Sequence, residues 1–397
     1  MSVPPFDPFD DIPPVSPTPD EPTGASPRSG SARDRQQRRK QQVTPRPSSR
    51  KSPRQTAPME RLRLPRLRLP ANRIWFTLLA AVVVVVVIVF GLGRLRPTRV
   101  ELGGNALWAG TEWTYDAPDE QTVAAFAQNL RDHDIGTVYA WVSWLQEDGS
   151  WRGAANFPNV KQFVEQFRAA YPEAQLYGWI SLPVDGGEDG YRLDDEGVQQ
   201  AVADFSQRIV NDFGFDGVML NVEPVWNGDE NFLSLVRGVR AAVGIDPLVG
   251  VAVPPDWSPP NATIPVPPLI APGTAWDEEF KQSLALLSDE IMVMAYNSGL
   301  STPTDYSEWV AYQVAEWARS IAALGEGTQV VIGMPTYDAE PPGHDPLVEN
   351  ISSAEVGYEA GLAEAGENAS FVRGRALYAN WTTDAAEWQA FQDAIAE

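Results

Sequence analysis

Three regimes of hydropathy follow one another along the chain. Residues 1–58 are Pro, Ser, Arg, Gln and Asp with almost no aliphatic side chains. Such a segment cannot bury enough apolar surface to offset chain entropy, so disorder is expected there. Ile74 to Gly93 is an uncharged run of twenty residues containing Val82 to Val87, long enough to cross a bilayer as a helix. It lies too far from the start of the chain for an ordinary signal peptide. From about residue 100 onward, short apolar runs alternate with amphipathic stretches, the pattern of repeated βα units. The expected organisation is a Pro/Arg-rich tail over 1–73, a transmembrane helix over 74–93, a linker over 94–104 and one α/β domain over 105–397.

Within that domain the most informative stretch is Gly214-Phe215-Asp216-Gly217-Val218-Met219-Leu220-Asn221-Val222-Glu223-Pro224. It reads as a short buried strand ending on a carboxylate. Side chains alternate across a strand, so Val218, Leu220 and Val222 share one face and Met219, Asn221 and Glu223 the other. The first face is built to pack on helices. The second becomes polar towards its carboxyl end, where α/β barrels carry their chemistry.

This run resembles the strand-four signature of glycoside hydrolase family 18, the chitinase family, D-G-x-D-x-D-x-E. The acid/base Glu is matched by Glu223, the first inner Asp is replaced by Met219 and the second by Asn221. An Asn two residues before the Glu is also the pattern of the family 85 endo-β-N-acetylglucosaminidases. The resemblance extends over most of residues 105–397. Ile291-Met292-Val293-Met294-Ala295-Tyr296-Asn297 is similar to the strand-six motif M-x-Y-[DN], and Val331-Ile332-Gly333-Met334-Pro335-Thr336-Tyr337 to the strand-seven motif. Trp381 falls where strand eight carries the Trp that floors the −1 sugar subsite. Strand three departs, with Trp179-Ile180-Ser181-Leu182-Pro183 in place of S-x-G-G.

Pattern and resemblance together imply a (β/α)8 TIM barrel. The expected strands are Ala106–Trp113, Thr137–Trp144, Gln175–Pro183, the signature strand, Leu248–Pro254, Glu290–Tyr296, Gln329–Pro335 and Ala376–Trp381. The expected helices are Glu120–Asp132, Val160–Tyr171, Asp195–Asp212, Glu230–Val243, Asp277–Leu287, Glu308–Leu324, Glu355–Ala365 and Ala385–Ala396.

Charge sharpens this division. Residues 1–73 carry 15 Lys and Arg against 7 Asp and Glu, and the remainder 15 against 46. That balance argues against nucleic acid as a partner of the acidic domain and favours neutral ligands. The repeat Arg61-Leu62-Arg63-Leu64-Pro65, Arg66-Leu67-Arg68-Leu69-Pro70 reads either as a basic tether or as a docking segment for anionic lipid heads. With no cysteine and two histidines, His133 at a helix end and His344 in a Gly/Pro loop, neither a metal or cofactor site nor a His-based triad is expected.

The chemistry implied by the resemblance centres on Glu223, a carboxylic acid that would protonate the leaving oxygen; the competing reading is a barrel-end Glu in a structural ion pair. Asn221 would orient the acetamido group of the sugar in a substrate-assisted reaction, an exception to the two-carboxylate rule for glycosidases, or it is a relic of a decayed site. Tyr296 would bond the acetamido carbonyl, or is a buried Tyr with a satisfied hydroxyl. Trp381, Asn297, Tyr337 and Met294 are expected at the sugar by motif, and Trp108, Trp141 and Trp179 by position near strand ends. Barrel packing explains about half of such tryptophans equally well. Asp216 reads as a support for the start of its strand and Asp289 as a helix-to-strand loop residue.

The function this implies is a membrane-anchored glycosidase of chitinase or endo-N-acetylglucosaminidase type, acting with retention on β-linked N-acetylhexosamine glycans. The alternatives are an inactive chitinase-like barrel that binds glycans and a membrane-tethered scaffold for a protein partner. Orientation follows from arginine asymmetry. Arg54, Arg61, Arg63, Arg66, Arg68 and Arg73 precede the apolar run and Arg94, Arg96 and Arg99 follow it, which places the N-terminus in the cytoplasm and the barrel outside. Protease added to intact cells should therefore remove the C-terminal domain and spare an N-terminal tag. A tag digested from outside would reverse the assignment.

Overall fold

Eight parallel strands pair in sequence order and close on themselves in the computed structural model, which describes residues 104–184, 191–256, 267, 273, 275–325, 327–338 and 343–396. The strands are β1 (Asn105–Ala109), β2 (Ile135–Trp144), β3 (Gln175–Pro183), β4 (Gly217–Glu223), β5 (Leu248–Val253), β6 (Glu290–Val293), β7 (Gln329–Pro335) and β8 (Val372–Tyr378). Each is followed by a helix: α1 (Glu120–Asp132), α2 (Phe157–Ala170), α3 (Glu196–Arg208), α4 (Glu230–Val243), α5 (Glu278–Ala285), α6 (Pro303–Ala322), α7 (Ile351–Ala365) and α8 (Ala385–Ala396). The expected tail and apolar run lie outside the described residues. Among the described residues no helix is long and apolar enough to cross a membrane.

Helix starts are written locally. Asp119, Asp195, Asp229, Asp277, Thr302 and Asn350 each cap a helix by accepting a backbone N–H of its first turn, which satisfies donors that no helical carbonyl can reach. Three helices begin earlier than the apolar pattern suggested, α2 at Phe157 rather than Val160. α6 opens at Pro303 rather than Glu308, because proline fits the first turn, where its missing N–H costs nothing. α7 opens at Ile351 rather than Glu355, behind a capping box of Asn350 and Ser353.

Strand faces sort into two cores. Val218, Leu220 and Val222 belong to the outer layer between strands and helices, with Leu107, Val138, Phe163 and Val236. Met219 belongs to the inner one, with Trp108, Tyr139, Trp141, Tyr177, Trp179, Met292 and Val331. At the base of the barrel Glu290 bonds Tyr139 and pairs with Arg373 at 2.6 Å, while Arg373 also donates to Thr137 at 2.8 Å. Asp216 does support a strand start, and Asp289, read as a loop residue, does the same. Each accepts the N–H of a residue on the preceding strand, Leu176 and Val249, and pairs with an arginine, Arg168 and Arg240.

Three strand limits differ from expectation. β1 stops at Ala109, and Thr111–Thr114 forms a single helical turn. β6 stops at Val293, leaving Met294 and Tyr296 on an extended segment beyond it. β8 spans Val372–Tyr378 rather than Ala376–Trp381, because Arg373 and Arg375, which read as loop residues, find carboxylate partners in Glu290 and Glu355. Trp381 accordingly sits on the loop after the strand.

Barrel closure depends on close backbone approach at the β1–β8 seam, where Ala106 faces Ala376 and Leu107 faces Leu377. A Cβ on Gly374 would overlap the carbonyl oxygen of Gly104, and one on Gly104 would overlap that of Arg373. Gly374→Ala should therefore cost about 1–3 kcal/mol through overpacking, read as a lower urea midpoint. An unchanged midpoint would show that the seam has slack.

Candidate functional site

β4 delivers Asn221 and Glu223 to the carboxyl end of the barrel on its inward face. Asn221 pairs in register with Ser181 of β3, and Glu223 with Pro183. Asn221 is 5% exposed and its Nδ2 donates to Glu223 Oε2 at 3.1 Å. Its Oδ1 is buried and has no partner among the described residues, and neither has the hydroxyl of Ser181 beside it. Buried polar atoms are nearly always hydrogen-bonded, so two neighbouring orphans at a barrel mouth mark a place prepared for a polar guest.

Burial raises the carboxyl of Glu223 above the usual carboxylate range, against the opposing pull of the Asn221 amide. Among the described residues no Lys, Arg or His lies within ion-pair distance of Glu223, so it is not the structural ion pair that the sequence left open. Tyr296 approaches from the segment after β6. Its hydroxyl is pushed well above the ordinary value by burial and then by the nearby Glu223 charge, which places phenol and carboxyl within electrostatic reach of one another.

Glycines make the room for these groups. A Cβ on Gly333 would stand 2.9 Å from the Tyr296 ring, and one on Gly110 would stand 2.8 Å from the Trp381 indole. A Cβ on Gly250 would stand 2.5 Å from Met219 Cε. Met219, at the first inner Asp position of the resembled motif, thus fills a space that a missing side chain on β5 leaves open.

Of the aromatic residues expected at the sugar, Trp108, Trp141 and Trp179 lie in the packed interior, at most 2% exposed. Trp179 meets Trp108 and Trp141 edge to face, at 4.6 and 4.5 Å between ring centroids. They form the floor beneath the mouth and present no open face for stacking. Trp381, Tyr337 and Met294 are half-buried at the mouth and Asn297 is exposed there. Trp381 lies parallel to Trp179 at 6.5 Å, and the Tyr337 hydroxyl donates to Asn297 Oδ1 at 2.5 Å.

Three mouth residues were not singled out from the sequence. Tyr378 ends β8 and stacks on Tyr296 at 5.2 Å while meeting Trp108, Tyr337 and Trp381 edge to face. It lay inside the expected strand Ala376–Trp381 but in no matched motif position. Glu112 accepts from the Gly110 N–H and from Asn380, each at 3.2 Å, and burial raises its carboxyl. Ser181 stood in a motif that departs from the family pattern. His344, read as a loop residue, is buried and bonded to Glu349.

No protein-family model matches the chain, and no curated protein matches it. Among solved structures it is similar to a class V chitinase from Pseudomonas fluorescens, at 15% identity over 73% of this chain and 99% of that one, TM-score 0.47. It is similar to a group IV chitinase from Ostrinia furnacalis in complex with allosamidin, at 15% identity over 74% and 97%, TM-score 0.47. It is also similar to a mutant plant class V chitinase from Cycas revoluta in complex with (GlcNAc)3, at 15% identity over 73% and 99%, TM-score 0.48. The barrel itself is established by its own strand pairing.

The raised carboxyl has a consequence for stability. A folded-state value above the unfolded one means that the native protein binds the Glu223 proton more tightly, so this contribution is full at low pH and is lost as pH rises through the folded value. Glu223→Gln removes the cost of ionising the group. The variant should melt at a higher temperature than the wild type near pH 7, with the gap closing at about pH 4, where carboxyls are largely protonated in both states. A variant melting lower at pH 7 would show that the carboxylate is stabilised by its surroundings.

Proposed function

We propose that the barrel is a glycoside hydrolase that cleaves β-linked N-acetylhexosamine glycans with retention, using the acetamido group of the substrate as the internal nucleophile. The observation that carries this reading is the Asn221–Glu223 arrangement: one amide donates to the acid through Nδ2 and leaves a buried Oδ1 without a partner. An acetamido N–H is the donor that such an oxygen lacks.

In this reading Glu223, its carboxyl raised by burial, gives its proton to the glycosidic oxygen as the bond breaks. The acetamido carbonyl oxygen attacks the anomeric carbon from the other face, with Asn221 Oδ1 accepting the amide N–H and Tyr296 donating towards the carbonyl. The resulting oxazolinium is opened by a water that Glu223, now a carboxylate, deprotonates. Net configuration is retained because the anomeric carbon is displaced twice. Asn221 carries no charge, so stabilisation of the oxazolinium falls to dipoles and to the aromatic wall of Tyr296, Tyr378 and Trp381. The half-buried indole of Trp381 offers a surface for the sugar ring.

Residues 74–93 serve in this proposal as a single membrane anchor, with the tail in the cytoplasm and the acidic barrel outside, where neutral glycans are its substrates. A glycan-binding barrel without turnover is the second reading. It is favoured by Met219, an apolar side chain at a position where the resembled motif has an acid.

The two removals should fail differently. Glu223→Gln keeps the shape but cannot protonate a poor leaving group, so hydrolysis of a chitin oligomer should fall by about 10²–10⁴-fold while binding persists. Aryl glycosides with acidic phenols should lose less. Asn221→Ala should lower turnover whatever the leaving group, and spare preformed sugar oxazolines. Wild-type protein inert on an aryl N-acetylglucosaminide, a chitin oligomer and an oxazoline donor, yet binding the oligomer, would replace hydrolysis with the glycan-binding reading.

A further inference from the structure

Beside the mouth lies a buried network whose donors and acceptors balance in a single arrangement of charge. Glu349 precedes α7 and is 1% exposed. Its Oε2 accepts the Asn297 N–H at 2.7 Å, and its Oε1 accepts the Ser298 N–H at 2.8 Å together with the Ser298 hydroxyl. The side chain of His344 is fully buried. Its Nδ1 lies 3.1 Å from Glu349 Oε2 and its Nε2 lies 2.9 Å from the Tyr337 carbonyl oxygen.

A carbonyl oxygen only accepts, so Nε2 carries hydrogen. The Glu349 carboxylate already receives three donors, which hold the charge on it, so Nδ1 also faces an acceptor. A neutral imidazole has one N–H and cannot serve both. We propose that Glu349 and His344 form a buried carboxylate–imidazolium pair that positions Asn297 and Tyr337 at the sugar-binding edge of the mouth. The inference rests on the sugar-binding reading above, in that it assigns those two residues to the substrate.

The pair joins two loops into a closed ring. Glu349 holds the backbone of Asn297 after β6, and His344 holds the backbone of Tyr337 after β7. The Tyr337 hydroxyl closes the ring on Asn297 Oδ1 at 2.5 Å. Asn297 has φ of 56°, a left-handed conformation that non-glycine residues adopt at a cost, and the Glu349 bond to its N–H offsets it. With one acceptor site of Oδ1 engaged, the Asn297 amide is oriented with Nδ2 and the second Oδ1 lone pair left for a ligand.

The titratable groups around His344 are Glu349, Tyr337, whose ring centroid is 4.0 Å away, and Tyr306 of α6, which feels the Glu349 charge, with Tyr296 beyond it. Among the described residues no Lys or Arg pairs with Glu349. Both imidazole hydrogens are therefore needed, one for Glu349 and one for the Tyr337 carbonyl.

The chain has two histidines, so ¹⁵N-histidine labelling of the full chain gives two side-chain patterns, and His344→Gln identifies one of them. At about pH 7, long-range ¹H–¹⁵N correlation should show both ring nitrogens of His344 protonated. A single-hydrogen neutral tautomer would overturn the pair, and this needs no active enzyme. For positioning, Glu349→Gln should raise KM for a chitin oligomer about tenfold, in keeping with the loss of a charge-assisted hydrogen bond, with kcat changed less than about twofold. His344→Gln should raise KM in the same way. Wild-type protein that binds the oligomer, with KM unaltered in both variants, would refute the positioning role. Wild-type protein that binds no sugar would refute the function proposed above, leaving the resonance measurement to judge the pair.

Discussion

Closing a parallel sheet on itself forces every second side chain of eight strands into a space bounded only by other side chains. The chain fills that space in tiers. At the base, Glu290, Arg373 and Tyr139 satisfy one another. In the middle, Trp108, Tyr139, Trp141, Tyr177 and Trp179 pack edge to face with Met219 and Met292. At the top, the interior stops being filled, and Ser181 and Asn221 point polar atoms that nothing in the described protein engages. The order matters energetically. A buried ion pair costs desolvation, and at the base that cost is offset by the Glu290–Arg373 pair and the Thr137 hydroxyl, while the open end carries Ser181 and Asn221.

That arrangement explains the acid. Glu223 stands above an aromatic floor with an amide beside it and no cation among the described residues, and burial outweighs the amide in setting its protonation. The site is built as much by missing side chains as by present ones. Gly110, Gly250 and Gly333 leave the volumes that Trp381, Met219 and Tyr296 occupy. A single Cβ at any of these positions would move an aromatic or thioether group into the mouth.

Outside the barrel the same devices recur two units apart. Asp216 and Asp289 each stand immediately before a strand, accept an N–H from the strand before and pair with an arginine. They fix the heights of β4 and β6 relative to β3 and β5, and so the heights of Glu223 and Tyr296. The helices pack closely where side chains are absent. A Cβ on Gly361 of α7 would stand 2.6 Å from the Ala311 carbonyl oxygen of α6.

Local chemistry made much of this legible in the sequence. Alternation along Val218–Glu223 assigned its two faces correctly because a strand has period two whatever surrounds it. The starts of α1 and α4 fell where the pattern put them, behind Asp119 and Asp229, because capping is a local bond. Glu223, Asn221 and Tyr296 could be named because the runs that carry them resemble the strand motifs of a known family. What the sequence could not decide depended on partners far along the chain. Arg373 and Arg375 belong to β8 beside Glu290 and Glu355, partners far along the chain, so the start of β8 was placed late. Trp108, Trp141 and Trp179 sit at strand positions that suit either stacking on a ligand or filling a barrel, and only their mutual contacts chose filling. Glu349 and His344 carry no motif. Their meaning arises where the loops after β6 and β7 meet, since hydrogen-bond balance is a property of groups brought together by the fold and not of any segment that contributes one of them.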